Sequence, residues 1–148
     1  MRGKIILVIG LIFLAAVVRP AFATENPEET DLAFAKTSLK SGLYDAAAEK
    51  LESILRNYPN TPRIYEVHSL LGRCYYYQNR FTRALYEFEV VLNAPAGSDS
   101  QDEALYWSGE VYLKNGDYKK ALELYQRIID EFPSSFYLSH ALYSKGWA

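Results

Sequence analysis

One cysteine, one methionine and two histidines in 148 residues leave little material for metal or redox chemistry. A single thiol cannot close an internal disulfide. Cys74, between Arg73 and Tyr75 in a helix-type stretch, reads as a buried, inert core thiol. His68 and His140 have no His, Cys or paired carboxylate at ligand spacing, so no metal site is expected. Glycine is sparse and forms no phosphate-binding loop, and there is neither a G-x-S-x-G elbow nor a Cys–His pairing. The acidic pairs Glu28-Glu29 and Asp130-Glu131 read as helix-end or solvated charges rather than as an acid–base couple. No catalytic constellation emerges, and no cofactor is expected. The formal charge is −2 with no basic stripe, which removes the electrostatic case for nucleic-acid binding.

The one long apolar run, Ile5 to Val18, lies at the N-terminus. Arg2 and Lys4 precede it as a positive n-region, Arg19-Pro20 breaks it, and Ala21-Phe22-Ala23 supplies a small-x-small cleavage pattern before Thr24. Fourteen helical residues rise only about 21 Å, short of a hydrocarbon core of about 30 Å. Residues 1–23 therefore read as a secretory signal peptide and residues 24–148 as the mature domain, exported to a bacterial periplasm. The competing reading is an uncleaved membrane anchor. No cysteine stands near the cleavage site to be acylated, which argues against a lipoprotein.

The rest of the chain repeats every 37 residues. Ala47, Ala84 and Ala121 share this spacing, and Tyr44, Phe81 and Tyr118 stand three positions before them. Leu51, Phe88 and Tyr125 follow four positions after, and Gly72, Gly109 and Gly146 recur in the same step. Prolines close the units at Pro59, Pro95 and Pro133, the middle one arriving one residue early. Apolar residues at i, i+3, i+4 and i+7 predict helices near 28–41, 44–57, 62–78, 81–93, 100–115, 118–131 and 136–148. Ser41-Gly42, Gln78-Asn79 and Asn115-Gly116 are placed to cap the first helix of each pair in a left-handed turn. The glycines and alanines are small enough to let paired helices close in around the large ring. Units fall near 28–64, 65–101 and 102–138, with a partial one at 139–148.

These residues resemble the tetratricopeptide repeat, whose pattern W-x2-L-G-x2-Y…A-x3-F…P is matched by His68-x2-Leu71-Gly72-x2-Tyr75…Ala84-x3-Phe88…Pro95. It recurs as Leu105-x2-Ser108-Gly109-x2-Tyr112…Ala121-x3-Tyr125…Pro133, while the first unit keeps only Ala47-x3-Leu51…Pro59, with Phe34-Ala35 and Ser38 upstream. The resemblance implies an all-α, right-handed superhelical solenoid of antiparallel helix pairs, about three and a half repeats long. The 37-residue period, the export signal, Tyr58-Pro59-Asn60 and Phe132-Pro133-Ser134-Ser135 are similar to the bacterial envelope branch of the family. That branch includes the periplasmic coordinator of the Tol-Pal system; the outer-membrane assembly lipoprotein fits less well because the acylated cysteine is missing. Ala141 to Ala148 reads as the first half of a further unit, and its apolar Leu142, Tyr143 and Trp147 suit a capping helix poorly, so the chain is expected to be the N-terminal part of a longer protein.

What the resemblance implies for function is protein binding, without catalysis or cofactor, in a concave groove lined by the first helix of each pair. Counted from the matched glycines, the groove positions are Lys36, Lys40, Arg73, Tyr76, Tyr77, Tyr106, Glu110, Lys114, Tyr143 and Trp147. Tyr75 and Tyr112 take the family's packing position and are expected in the core, whereas Tyr76, Tyr77, Tyr106 and Tyr143 are free to meet a partner or to tile the wall. A carboxylate clamp is not expected, since the positions that would carry it hold Leu32 and Lys36, Ser69 and Arg73, and Tyr106 and Glu110, without an Asn. The expected partners are envelope or outer-membrane-associated proteins. Contact with a membrane would come only through them or through an uncleaved signal. The alternative is a module that targets a longer envelope enzyme, such as a peptidoglycan hydrolase.

Overall fold

The computed structural model describes residues 26–147; the signal peptide read from residues 1–23 and the terminal Ala148 lie outside them. The described residues form α1 (Pro27–Lys40), α2 (Tyr44–Asn57), α3 (Ile64–Tyr77), α4 (Phe81–Leu92), α5 (Gln101–Lys114), α6 (Tyr118–Glu131) and α7 (Leu138–Trp147). Each helix packs on its successor, and α1, α3 and α5 also touch in sequence, so the first helices of successive pairs stand side by side. The architecture is the all-α solenoid implied by the repeat. None of the described helices is long and apolar enough to cross a membrane.

Three turns inside the pairs follow one design. Gly42, Asn79 and Gly116 adopt φ of 76°, 58° and 75°. Around them Leu43 N–H donates to Ser38 C=O (2.9 Å), Arg80 N–H to Tyr75 C=O (2.8 Å) and Asp117 N–H to Tyr112 C=O (2.9 Å). This six-to-one bond satisfies an orphan carbonyl of the finished helix and reverses the chain, and glycine or asparagine is needed at its left-handed position. Side-chain caps are used sparingly: Asn26 accepts from Glu28 N–H at α1 and Asp117 from Lys120 N–H at α6, both at 3.2 Å.

The knobs and holes are where the spacing put them. A methyl group on Gly72 would lie 2.4 Å from the Phe88 ring, and one on Gly109 would lie 2.5 Å from the Tyr125 ring. The first pair solves the same contact differently, with buried Ala35 in the glycine position and buried Leu51 in the ring position. Ala47, Ala84 and Ala121 are fully buried, as is Cys74, whose thiol burial pushes up to about 12. One packing expectation needs correction. Tyr75 is buried and donates to Glu52 (2.6 Å), but Tyr112 is only half-buried, with the Lys120 ammonium 5.0 Å from its ring centroid.

The connections between pairs are not equivalent. In the first, the Thr61 hydroxyl donates to Glu28 in the first turn of α1 and accepts from Arg63 N–H. The third repeats this two periods later, Ser135 donating to Asp102 and accepting from Tyr137 N–H. In the second, Tyr65 stands where the carboxylate would be, and the Ser98 hydroxyl turns back to Pro95 C=O. That linker, residues 93–100, carries left-handed Gly97 and Ser100, the latter at φ 74° without being glycine.

Candidate functional site

Beside this irregular connection the first helices enclose an open hollow of about 470 Å³. Lys36, Leu39 and Lys40 line it from α1, Tyr65, Glu66, Leu70 and Arg73 from α3, and Asp99, Ser100 and Glu103 from the second linker and α5. Its apolar floor, Leu39 and Leu70, belongs to the buried core, while its rim is charged.

Two rim ion pairs tie neighbouring first helices together, each joining residues thirty apart: Lys36 to Glu66 (2.5 Å) and Arg73 to Glu103 (2.9 Å). Glu103 is the busier acceptor, taking bonds from Ser69 (2.8 Å), Arg73 (2.9 Å) and Tyr137 (2.8 Å), which links α3, α5 and the segment before α7. These pairs are partly shielded, with Arg73 and Glu103 the less exposed, so the second is less screened by solvent than a surface ion pair. Lys40, at the C-terminal turn of α1, is exposed on the rim. Among the described residues no three His, Cys, Asp or Glu side chains are grouped to hold a metal ion.

The ten groove residues read from the spacing separate into three sets. Lys36, Lys40 and Arg73 come together at the hollow. Tyr143 and Trp147 meet on α7 with ring centroids 6.1 Å apart and are 69% and 74% exposed. Between them runs a wall of interlocked rings, the tiling alternative for Tyr76, Tyr77 and Tyr106. Tyr76 is buried against Trp107 (5.0 Å), Tyr77 (5.3 Å) and Phe81 (6.2 Å), with Lys114 Nζ 4.6 Å over its ring. Tyr106 is half-buried among Trp107 (5.4 Å), Tyr137 (5.1 Å) and His140 (5.7 Å). Burial raises both phenols, Tyr106 to about 12, with the Glu110 carboxylate adding to the shift. Tyr77 is the most open of the three but stacks on Tyr44 at 4.7 Å. Glu110 is also an internal group: it accepts from Tyr125 (2.8 Å) and Ser144 (2.9 Å), anchoring α6 and α7 to α5. Tyr76, Tyr106 and Glu110 are therefore wall, not reach.

Two residues central to this surface were not marked by the spacing. Trp107 lies under Arg73 at 5.2 Å and touches three tyrosines, yet its register partner two helices back is Leu70, so the repeat gives no warning of a ring there. Glu103 was legible in principle, because it stands thirty residues after Arg73 as Glu66 stands thirty after Lys36. His68, without a partner at ligand spacing, bonds Glu87 at 2.6 Å from α3 to α4, a contact across the pair rather than a site.

Comparison with known proteins agrees with this geometry. Profiles of the tetratricopeptide repeat match residues 32–101 and 103–135. No curated protein matches in sequence. Among solved structures 30 chains match, including the crystal structure of MamA, a tetratricopeptide-repeat protein, at 26% identity and a TM-score of 0.61. The match covers 75% of this chain and 61% of that chain.

Proposed function

We propose that this array of tetratricopeptide repeats is a non-catalytic scaffold of the bacterial cell envelope, exported by its N-terminal signal, which holds an extended segment of another envelope protein along its first-helix face. Tetratricopeptide repeats are protein-interaction modules, and that much rests on the matched profiles. The observation that carries the finer reading is the hollow at the irregular connection: an apolar floor of Leu39 and Leu70 under a rim where Lys36 and Arg73 are each already paired and Lys40 is exposed. An apolar side chain of the partner fills the floor, and an acidic neighbour meets Lys40. The export reading is supported by the basic, apolar and Ala-x-Ala parts of residues 1–23.

Affinity capture from an envelope fraction, followed by titration of the captured protein, tests this reading. Lys40→Glu is expected to weaken binding about tenfold or more, as charge reversal at a groove rim changes both attraction and repulsion. Tyr106→Ala is expected to lower the melting temperature instead. Binding that ignores Lys40→Glu and Leu70→Ala removes the hollow from the site. Recovery of full-length material beginning at Met1 from the membrane fraction contradicts the exported, cleaved form.

A further inference from the structure

The sequence carries no long basic run, but the fold gathers cations along one edge. Paired helices alternate in direction and first helices stand side by side. The turns inside the pairs therefore share one end of the array, and the connections between pairs share the other. Neighbouring turns touch: the Tyr44 ring stacks on Tyr77 at 4.7 Å, and Lys114 Nζ lies 4.6 Å from the centre of the Tyr76 ring. Around the second and third turns stand Arg80, Arg83, Lys114, Lys119 and Lys120, all exposed. Among the described residues only Lys120 of these has an ion-pair partner, Asp117 at 3.2 Å, while Asp45 on the first turn accepts from Gln78 (3.0 Å). The connection edge inverts the pattern. Glu28, Glu29, Asp102, Glu103, Asp130 and Glu131 stand at its helix ends. Its cations Arg56, Arg63 and Arg127 are taken by Glu52 (3.7 Å), Glu29 (3.1 Å) and Glu131 (2.9 Å). On the turn edge, Arg80 and Arg83 flank the start of α4, and Lys119 and Lys120 lie in the first turn of α6. Positive charge there opposes the helix dipole, so helix stability does not account for it.

We propose that this turn edge is a docking surface for a lipid bilayer with anionic headgroups. Charge complementarity selects an anionic occupant, since the turn cations lack the carboxylates that neutralise those of the connection edge. The apolar content of the edge selects lipid over an acidic protein. Leu43 and Tyr118, on the first and third turns, are 59% and 53% exposed. Convex turn tips that mix cations with an aliphatic and a phenolic side chain suit a bilayer interface. Lysine and arginine reach headgroup phosphates there, and tyrosine favours the headgroup level. The acidic edge is repelled by the same surface, which orients the array on it although the chain as a whole is net acidic. This contact is added to those expected from the sequence, a partner or an uncleaved signal, and it does not depend on what fills the hollow.

The protein tested is residues 24–148, which hold all seven described helices and lack the apolar Ile5–Val18 run; a cooperative melt certifies each sample. The probes are vesicles of phosphatidylcholine alone and of phosphatidylcholine mixed with phosphatidylglycerol, read by co-sedimentation. Binding is expected only to the mixed vesicles, and added salt is expected to reverse it. Arg80→Gln combined with Lys119→Gln is expected to weaken it about twentyfold, at about fivefold for each charge removed. This double variant is expected to melt no lower than the parent, because it removes positive charge from two helix starts. Leu43→Ser is expected to weaken binding about threefold, and Asp130→Asn on the opposite edge to leave it unchanged. Absence of binding, equal binding to both vesicles, or binding indifferent to the double variant overturns the proposal. So does failure on vesicles with binding to polyglutamate that the double variant abolishes, which assigns the edge to an acidic polypeptide. A salt-sensitive oligomer in sedimentation equilibrium that the double variant dissociates assigns it to the acidic edge of a second copy, and equally overturns docking on lipid.

Discussion

The first pair and the two that follow it fill one hole in two ways. Pairs two and three remove the β-carbon from the first helix and insert a ring from the second, Gly72 with Phe88 and Gly109 with Tyr125. The first keeps the methyl group of Ala35 and shortens the knob to Leu51. Interiors tolerate exchanges that conserve volume and resist those that do not, so the two solutions are alternatives for the pair of residues, not for either residue alone. Small residues are needed here for the space they vacate rather than for backbone freedom.

The largest test of this contrast is Gly109→Leu. Its side chain meets the fully buried Tyr125 ring, and a loss of about 3 kcal/mol or more is expected in a denaturant melt. A melt unchanged by it breaks the register. The sharper test transplants the first solution into the second pair. Gly72→Ala and Phe88→Leu are each expected to cost about 1–3 kcal/mol, while the double variant loses less than their sum by about 1 kcal/mol or more. Strict additivity refutes the exchange. Alkaline titration separates the pairs by another route, since the later ones contribute shielded phenols, Tyr75 and Tyr106, where the first has Ser38 and Leu32. Tyr75 and Tyr106 are raised from 10.0 to about 12 by burial. The unfolded chain releases these protons first, so their stabilisation is complete below pH 10 and is lost as pH rises toward 12. A share of the phenolate absorbance, over and above that of the exposed rings, that appears only with the loss of helical circular dichroism is the expected result. The smallest effects have opposite signs. Ala35→Gly removes a buried methyl group and weakens a helix, costing about 1–2 kcal/mol. Gly146→Ala is expected within about 0.5 kcal/mol of neutral, on the stabilising side, because its position is open.

Much of the fold was legible in the sequence because repetition averages over local ambiguity. A left-handed residue at Gly42, Asn79 and Gly116 and an aromatic start at Tyr44, Phe81 and Tyr118 recur in step, and the helices lie within about two residues of the expected bounds. The site was less legible for a related reason. Tyr76 and Tyr106 were given free positions by their distance from a glycine, but their burial is decided by Trp107, which breaks the register. Glu110 looked like a groove acid because its partners, Tyr125 and Ser144, lie fifteen and thirty-four residues away on other helices. Periodicity reports what the pairs share. The hollow beside the second connection arises where they differ, with Tyr65 in place of a carboxylate and a strained Ser100.

Cys74 carries a consequence of a kinetic kind. The only sulfhydryl of the chain is fully enclosed and is held protonated to about 12, so no thiol reagent reaches a reactive thiolate while α3 stays packed. Its alkylation rate is then the intrinsic rate multiplied by the fraction of time the middle of the array stands open. With reagent in excess, the labelling half-time becomes a clock for that opening, read without mutation or denaturant. A ligand that spans α1, α3 and α5 slows the clock in proportion to its occupancy, and one that binds only at α7 does so only if the whole array opens as a unit.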